Sequence, residues 1–172
     1  MNNLLRPKVG VSACLLGESV RYDGGHQLMA YIEKKLAPYL DLMSFCPEVH
    51  AGLGIPRPPV ELIASDNEIV ALGRDDPSLD VTKQLQFSAD FLVNQLIKEQ
   101  AVAYIFKARS PSCGVGTTPL FGSHGEDLGL TSGLVAAQVK LQLPDILLVD
   151  EGYFVDDLAY ERFVSKCLSM TL

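Results

Sequence analysis

The sequence has neither a long apolar run nor an excess of basic residues, and each absence excludes a class of function. No stretch approaches the roughly 20 apolar residues of a membrane helix, and the first residues lack the apolar core of a signal peptide. Asp and Glu outnumber Lys and Arg by 21 to 14, which gives a formal net charge of −7. Because basic side chains supply most of the affinity for duplex nucleic acid, we predict a cytoplasmic protein with no membrane and no duplex partner.

Closely spaced cysteine pairs are also missing. The chain has four cysteines but no CxxC motif, so the spacings of zinc ribbons and ferredoxins are absent. In a reducing cytoplasm these cysteines are expected to be thiols or metal ligands rather than disulfides. No internal repeat or low-complexity tract is present, and 172 residues suit one domain, so we predict a single domain over residues 1–172.

Short apolar runs alternate with amphipathic segments along the chain. The predicted strands are 8–13, 40–45, 102–107 and 145–149, with a hairpin of 60–64 and 68–72; the predicted helices are 28–38, 82–100, 132–142 and 155–170. Thr131 or Ser132 is expected to cap the helix at 132–142. This alternation predicts an α/β fold, with a mostly parallel sheet covered by helices on both faces in a Rossmann-like three-layer sandwich.

Three of the cysteines lie in loops that follow predicted strands. Cys14 follows the strand at 8–13, Cys46 follows the strand at 40–45, and Cys113 lies a few residues past the strand at 102–107. The carboxyl ends of parallel strands meet at one edge of a sheet, so we expect the three sulfurs to converge there. Three thiolates are typical of a soft metal or an iron–sulfur cluster. Cys167 lies on the predicted terminal helix, and we expect it in the core.

The residues alone leave the identity of the metal open. Zinc held by three cysteines and one histidine is one possibility, because His50 lies four residues after Cys46 and His26 and His124 lie in loops. A lone histidine is nevertheless more often a hydrogen-bonded side chain than a ligand. Two kinds of function therefore remain: an iron–sulfur enzyme, or a non-catalytic zinc or iron–sulfur module for binding or sensing.

Longer motifs indicate a family. VSACLLGESVRYDGGHQ, FCPEVHAGLGIPRPPVELI, DVT at 80–82, KARSPSCG and GLTSGLVA strongly resemble the thiouracil desulfurase (desulfidase) family, formerly an uncharacterised-domain family. The resemblance is to its short single-domain form and covers roughly residues 8–150. It implies a [4Fe-4S] cluster held by Cys14, Cys46 and Cys113, with one iron open to substrate. The implied reaction is hydrolysis of a small thiolated nucleobase or nucleotide such as 2-thiouracil, releasing sulfide and the oxo base.

Such a hydrolysis needs a general base beside the cysteines. Glu48, two residues after Cys46, is the first choice, and Asp23 and Glu61 are the rivals. Ser110 and Ser112, which flank Pro111 beside Cys113, are expected to hydrogen-bond the substrate or a cluster sulfur.

Charged residues near the motifs are candidates for substrate binding. We predict that Arg21, Asp23 and Lys107 bind the substrate, with Arg109 adding positive charge to the same loop as Lys107. Free N–H groups at the helix start near Thr131 offer a further site for an anion. Arg57 and Glu61 bracket a PP turn, where a structural ion pair is an equal alternative.

Overall fold

The computed structural model of the chain describes residues 6–170 and builds them around two four-stranded sheets. The first sheet has the order β2-β1-β5-β8, and all its strands are parallel. Its strands are β1 (Lys8–Ser12), β2 (Asp41–Phe45), β5 (Ala103–Phe106) and β8 (Leu147–Asp150). The second sheet has the order β4-β3-β6-β7 and contains β3 (Val60–Ser65), β4 (Glu68–Gly73), β6 (Thr118–Gly122) and β7 (Asp127–Thr131).

Helices are interspersed with the strands along the chain. They are α1 (Ala30–Leu36), α2 (Pro47–His50), α3 (Thr82–Lys98), α4 (Leu134–Gln142) and α5 (Asp157–Ser169), with short 3₁₀ turns at Ala13–Leu16 and Glu151–Tyr153. Among residues 6–170, no helix combines the length and the apolar character that crossing a membrane requires.

The parallel sheet is buried on both faces, as its apolar strands predict. All four residues of β5 are buried, and their side chains alternate between two cores. Ala103 and Ile105 pack with residues of α1 and α5, whereas Tyr104 and Phe106 pack with residues of α3 and α4. The predicted α/β architecture with helices on both faces is therefore confirmed.

A close approach between β1 and β5 lies near the edge of the parallel sheet where the cysteines are. Gly10 pairs with Tyr104 across the two strands, and a Cβ on Gly10 would stand only 2.1 Å from the Tyr104 ring. The glycine thus makes room for a fully buried tyrosine. The Tyr104 hydroxyl donates a hydrogen bond of 3.2 Å to the carbonyl of Phe45, the residue before Cys46.

The second sheet goes beyond the sequence prediction. The predicted hairpin is confirmed as β3 and β4, which pair antiparallel, but β6 and β7 were not predicted. Their sequences, TPLFG and DLGLT, contain proline and glycine, which weaken a strand signal, and four of the five residues of β7 are exposed. β6 pairs parallel to β3, so tertiary contacts with the hairpin stabilise it rather than its own pattern.

Candidate active site

The three strand-end cysteines line one cavity. Cys14 lies in the 3₁₀ turn after β1, Cys46 lies between β2 and α2, and Cys113 lies in the loop after β5. The cavity has a volume of about 340 Å³, which is within the range of small-molecule sites. It opens at the carboxyl edge of the parallel sheet, where α/β proteins bind their ligands. Cys167 lies apart, fully buried in the core beside α1 and β1.

Burial dominates the electrostatics of these thiols. It raises the pKa of Cys14 to about 11 and that of Cys113 to about 12, and it also raises the pKa of Cys46. The charge of Cys46 raises the pKa of the other two further. A positively charged partner would hold all three as thiolates, since coordination to a metal deprotonates a thiol.

The donor set fits an iron–sulfur group better than a single ion. Across residues 6–170, no group of three or more His, Cys, Asp or Glu side chains is arranged to hold a metal ion. The three cysteines instead stand around a cavity, and sulfur ligands select soft metals and clusters.

The histidines lie elsewhere. None of the three lines the cavity. The Nδ1 atom of His50 is 3.1 Å from the hydroxyl of Ser88, and its ring stacks on Phe91. His26 accepts a hydrogen bond from a backbone N–H, and His124 lies in the turn between β6 and β7. A zinc site of three cysteines and one histidine therefore has no imidazole in this cavity.

Glu48 belongs to a hydrogen-bond network on the cavity wall. Its Oε2 accepts a 2.7 Å hydrogen bond from Nε of Arg57 and lies 2.6 Å from Nη2 in the same ion pair. Its Oε1 accepts a 2.7 Å hydrogen bond from the hydroxyl of Ser112, and the hydroxyl of Ser110 lies 3.5 Å away. The carboxylate therefore has one oxygen occupied by Arg57 and the other directed towards the serines.

The two serines connect Glu48 to the loop of Cys113. Ser110 Oγ accepts hydrogen bonds from the backbone N–H groups of Ser112 and Cys113, at 3.3 and 3.2 Å. The two serine hydroxyls lie 3.0 Å apart, and Ser112 Oγ lies 3.4 Å from Cys113 Sγ. The structure thus brings both predicted serines together with Glu48 and one of the cysteines.

The first turn of α4 supports this loop from behind. The N–H of Leu134 donates to the carbonyl of Pro111 at 2.9 Å, and those of Val135 and Ala136 donate to the carbonyl of Ser112 at 3.0 and 3.1 Å. These N–H groups were predicted to offer an anion site. That prediction is wrong, because backbone carbonyls of the loop already accept from them.

Gly133 allows α4 to start so close to the loop. A Cβ at this position would lie 2.4 Å from the carbonyl carbon of Ser112, and the Gly133 N–H donates to Gly114 at 2.8 Å. The predicted caps are wrong for the same reason: Gly133 occupies the N-cap, where no larger side chain fits. Thr131 ends β7, and the hydroxyl of Ser132 accepts from the N–H of Gly116.

Arg21 and Asp23 occupy different places relative to the cavity. Arg21 lines it, with its Nε 3.5 Å from Oδ1 of Asp23. Asp23 is half-exposed and lies outside the cavity-lining set. A hydrogen bond from the N–H of Gly25, together with Arg21, lowers the pKa of Asp23. Asp23 was predicted to bind substrate; the structure places it beside Arg21 and not among the residues that line the cavity.

Lys107 also lines the cavity. It forms an ion pair with Glu151, a residue that was not predicted from the sequence. Its ammonium pairs with Glu151 and donates to the carbonyl of Ala108 at 2.9 Å. Glu151 also accepts from the N–H of Ala108. Since Glu151 is 44 residues away and belongs to no motif, only the pairing of β5 with β8 brings it here.

Arg57 and Glu61 both line the cavity but do not pair with each other. Arg57 binds Glu48, whereas Glu61 lies 3.7 Å from the Nε of Arg74. The proposed ion pair across the PP turn is therefore wrong. Arg109, the other predicted cation, also lines the cavity.

Fold and cavity together define an α/β protein with a sulfur-lined ligand site at the edge of a parallel sheet. A sequence model of the 2-thiouracil desulfurase family matches residues 9–151. The chain therefore belongs to this family, as its motifs predicted, and it is an enzyme of this kind.

Two individual proteins are similar to this chain. The solved structure of a "[4Fe-4S]-dependent thiouracil desulfidase TudS" matches with a TM-score of 0.72 at 27% identity, covering 96% of this chain and 99% of that one. "Uncharacterized protein YbbK" of Bacillus subtilis (strain 168) is 34% identical over 134 residues, which cover 76% of this chain and 87% of the relative.

Proposed function

We propose that this enzyme hydrolyses a small thiolated nucleobase or nucleotide of the 2-thiouracil kind, releasing sulfide and the oxo base. The observation that carries the proposal is the cavity itself, which is lined by three thiols and by the hydrogen-bonded pair Glu48 and Ser112. The reaction class comes from the family, and the [4Fe-4S] dependence comes from the name of TudS.

We propose that Cys14, Cys46 and Cys113 hold the cluster and that no fourth protein ligand is used. Support comes from their shared cavity and from the separate burial of Cys167 in the core. With three protein ligands, the bound cluster would supply one open iron, a soft Lewis acid that suits a thiocarbonyl sulfur.

Glu48 is the proposed general base. Water adds its oxygen to the ring carbon while Glu48 takes one water proton. The new hydroxyl then loses the second proton as the carbon–sulfur bond breaks, which gives a carbonyl. Glu48 returns its proton, and the sulfur leaves with both protons as H₂S, or with one as HS⁻ while the other goes to solvent. The reaction consumes one water and changes no oxidation state. Ser110 and Ser112, which both contact the carboxylate, are placed to orient the water or the substrate. Of the rival bases, Glu61 lines the cavity but Asp23 does not.

Cations that line the cavity suit the polar part of the substrate. Arg21 and Lys107 line the site, and each keeps N–H donors that can bind a ring oxygen or a phosphate. We propose that Asp23 acts through Arg21, which it contacts at 3.5 Å.

We also propose that the chain acts as one desulfurase-like domain in the cytoplasm. Residues of both sheets line the cavity, including Cys14 next to β1 and Glu61 of β3, so neither sheet completes the site alone. A site of three free thiols requires a reducing compartment.

Anaerobic reconstitution followed by a sulfide-release assay tests this function. Iron and acid-labile sulfide should reach four each per chain after reconstitution, on the order of one cluster. Incubation with 2-thiouracil should then yield sulfide and uracil in equal amounts, whereas protein without cluster should yield neither. A protein that binds iron or zinc but releases no sulfide from thiobases or their nucleotides would support the alternative, a non-catalytic metal-binding or sensing module.

A further inference from the structure

We infer that Arg57 is the positioning residue of the active-site carboxylate: it locks Glu48 in the one orientation that presents Oε1 to the reacting water. This inference rests on the proposed function of the site. It concerns a residue whose sequence context, between prolines, suggested an ion pair with Glu61 as readily as a role in the site.

The guanidinium of Arg57 is buried and almost fully hydrogen-bonded. Its side chain is only 5% exposed. Nε donates to Oε2 of Glu48 at 2.7 Å, and Nη2 lies 2.6 Å from the same oxygen. Nη1 donates to the carbonyls of Val20 and Gly54 at 2.9 and 3.0 Å. Each of the three guanidinium nitrogens thus has a partner among the described residues.

This pattern fixes both the arginine and the carboxylate. The two backbone carbonyls hold the guanidinium plane, and the backbone N–H of Arg57 is itself bonded to the carbonyl of Tyr22 at 2.9 Å. Because Nε and Nη2 both contact Oε2 of Glu48, the carboxylate cannot rotate without losing its hydrogen bond to Nε and its ion-pair contact with Nη2. Oε1 is then held 2.7 Å from Ser112, at the cavity wall.

A lysine at position 57 could not fix the orientation of Glu48 in this way. An ammonium is a compact point charge on a flexible stem, whereas the guanidinium is a rigid planar fork. A lysine at position 57 can keep the positive charge near Glu48. It cannot bond the Glu48 carboxylate and the carbonyls of Val20 and Gly54 at the same time. Arg57→Lys therefore separates orientation from charge.

The test is a double-mutant cycle of Arg57→Lys and Glu48→Gln on reconstituted enzyme, with 2-thiouracil as substrate. A misplaced catalytic group can cost roughly 10²-fold in rate, and we expect a loss of that order in kcat for Arg57→Lys, with little change in KM. In the Glu48→Gln background, the same arginine change should alter kcat by less than about twofold, because the group it orients is gone. Arg162→Lys, an exposed change on α5, is the matched control.

Two outcomes would overturn the inference. Losses that multiply in the double variant would show that Arg57 acts independently of Glu48. A crystal structure of cluster-free Arg57→Lys in which Glu48 still bonds Ser112 would show that the arginine does not set its orientation. This second readout needs no activity, so it decides the role of Arg57 even if the wild type releases no sulfide and the proposed function fails.

A second variant guards against poor folding. Arg57→Ala removes the side chain and leaves a cavity the size of a guanidinium ion. Added guanidinium at non-denaturing concentration should restore part of kcat in Arg57→Ala but not in Arg57→Ala/Glu48→Gln. Rescue of both variants alike, or of neither when Arg57→Ala is folded, would contradict a positioning role.

Discussion

Replacing Gly133 by alanine should dislodge the Cys113 loop from the helix that supports it. The added Cβ would stand 2.4 Å from the carbonyl carbon of Ser112 and 2.6 Å from the N of Cys113, where ordinary contacts begin at 3.4 Å. Both neighbours are backbone atoms, so no side chain can turn aside. The start of α4 and the loop must therefore separate by about 1 Å.

The cost follows from the contacts that cross this gap. Four backbone hydrogen bonds of 2.8–3.1 Å join residues 133–136 to the loop at residues 111–114. Each contributes about 0.5–1.5 kcal/mol net, and an opening of 1 Å breaks or weakens all four. Partial relaxation leaves an expected loss of about 2–4 kcal/mol, similar to or above the usual cost of overpacking.

Urea unfolding of the cluster-free protein measures this loss as a lower midpoint with an unchanged slope. Gly125→Ala is the matched control, because Gly125 has a φ of +83° but open space around its Cβ position. It should cost about 1–2 kcal/mol through backbone strain alone. We expect Gly125→Ala to accept a full cluster and Gly133→Ala to lose most of its iron. Equal iron content in the two variants would refute the reasoning that Gly133 places Cys113.

Further predictions concern the cysteines and the carboxylate. Serine in place of Cys14, Cys46 or Cys113 should abolish stable cluster binding, measured as iron per chain, whereas Cys167→Ala should keep the cluster; equal loss in all four would mean that every iron is protein-bound. Burial raises the pKa of Cys167 to about 12, so at neutral pH its thiol stays protonated. Mass spectrometry should find it unalkylated by iodoacetamide in the native protein and modified in urea, since the thiolate is the reactive form. Glu48→Gln should keep the cluster and bind thiobase but lose turnover by about 10²–10⁴-fold. Full activity in that variant would move the base to Glu61, the cavity-lining rival.

The parts of the fold that the sequence predicted are those with strong local signals. Buried strands such as β5 are continuous apolar runs, and α3 repeats its apolar residues at helical spacing, so both were placed within a few residues. β6 and β7 were missed because proline and glycine interrupt them and β7 is largely exposed. Their formation depends on pairing with β3, which no local window contains.

The candidate site divides in the same way. Position after a strand was enough to select Cys14, Cys46 and Cys113, because chain order and parallel pairing fix which edge a loop occupies. The partners of the charged groups were not accessible to such reasoning. An ion pair of Arg57 with Glu61 was one of two alternatives, and Arg57 lies against Glu48 instead. Lys107 pairs with Glu151 across two neighbouring strands.

The sequence by itself therefore determined the α/β class, the family and the three thiols, since these depend on periodicity and on long local motifs. Only the tertiary structure decided how the polar groups are shared. It assigned the N–H groups of α4 to the cysteine loop rather than to an anion, and it directed Arg57 onto Glu48. The physical reason is that a buried polar group bonds whatever partner packing brings within about 3 Å, and packing joins residues far apart in the chain.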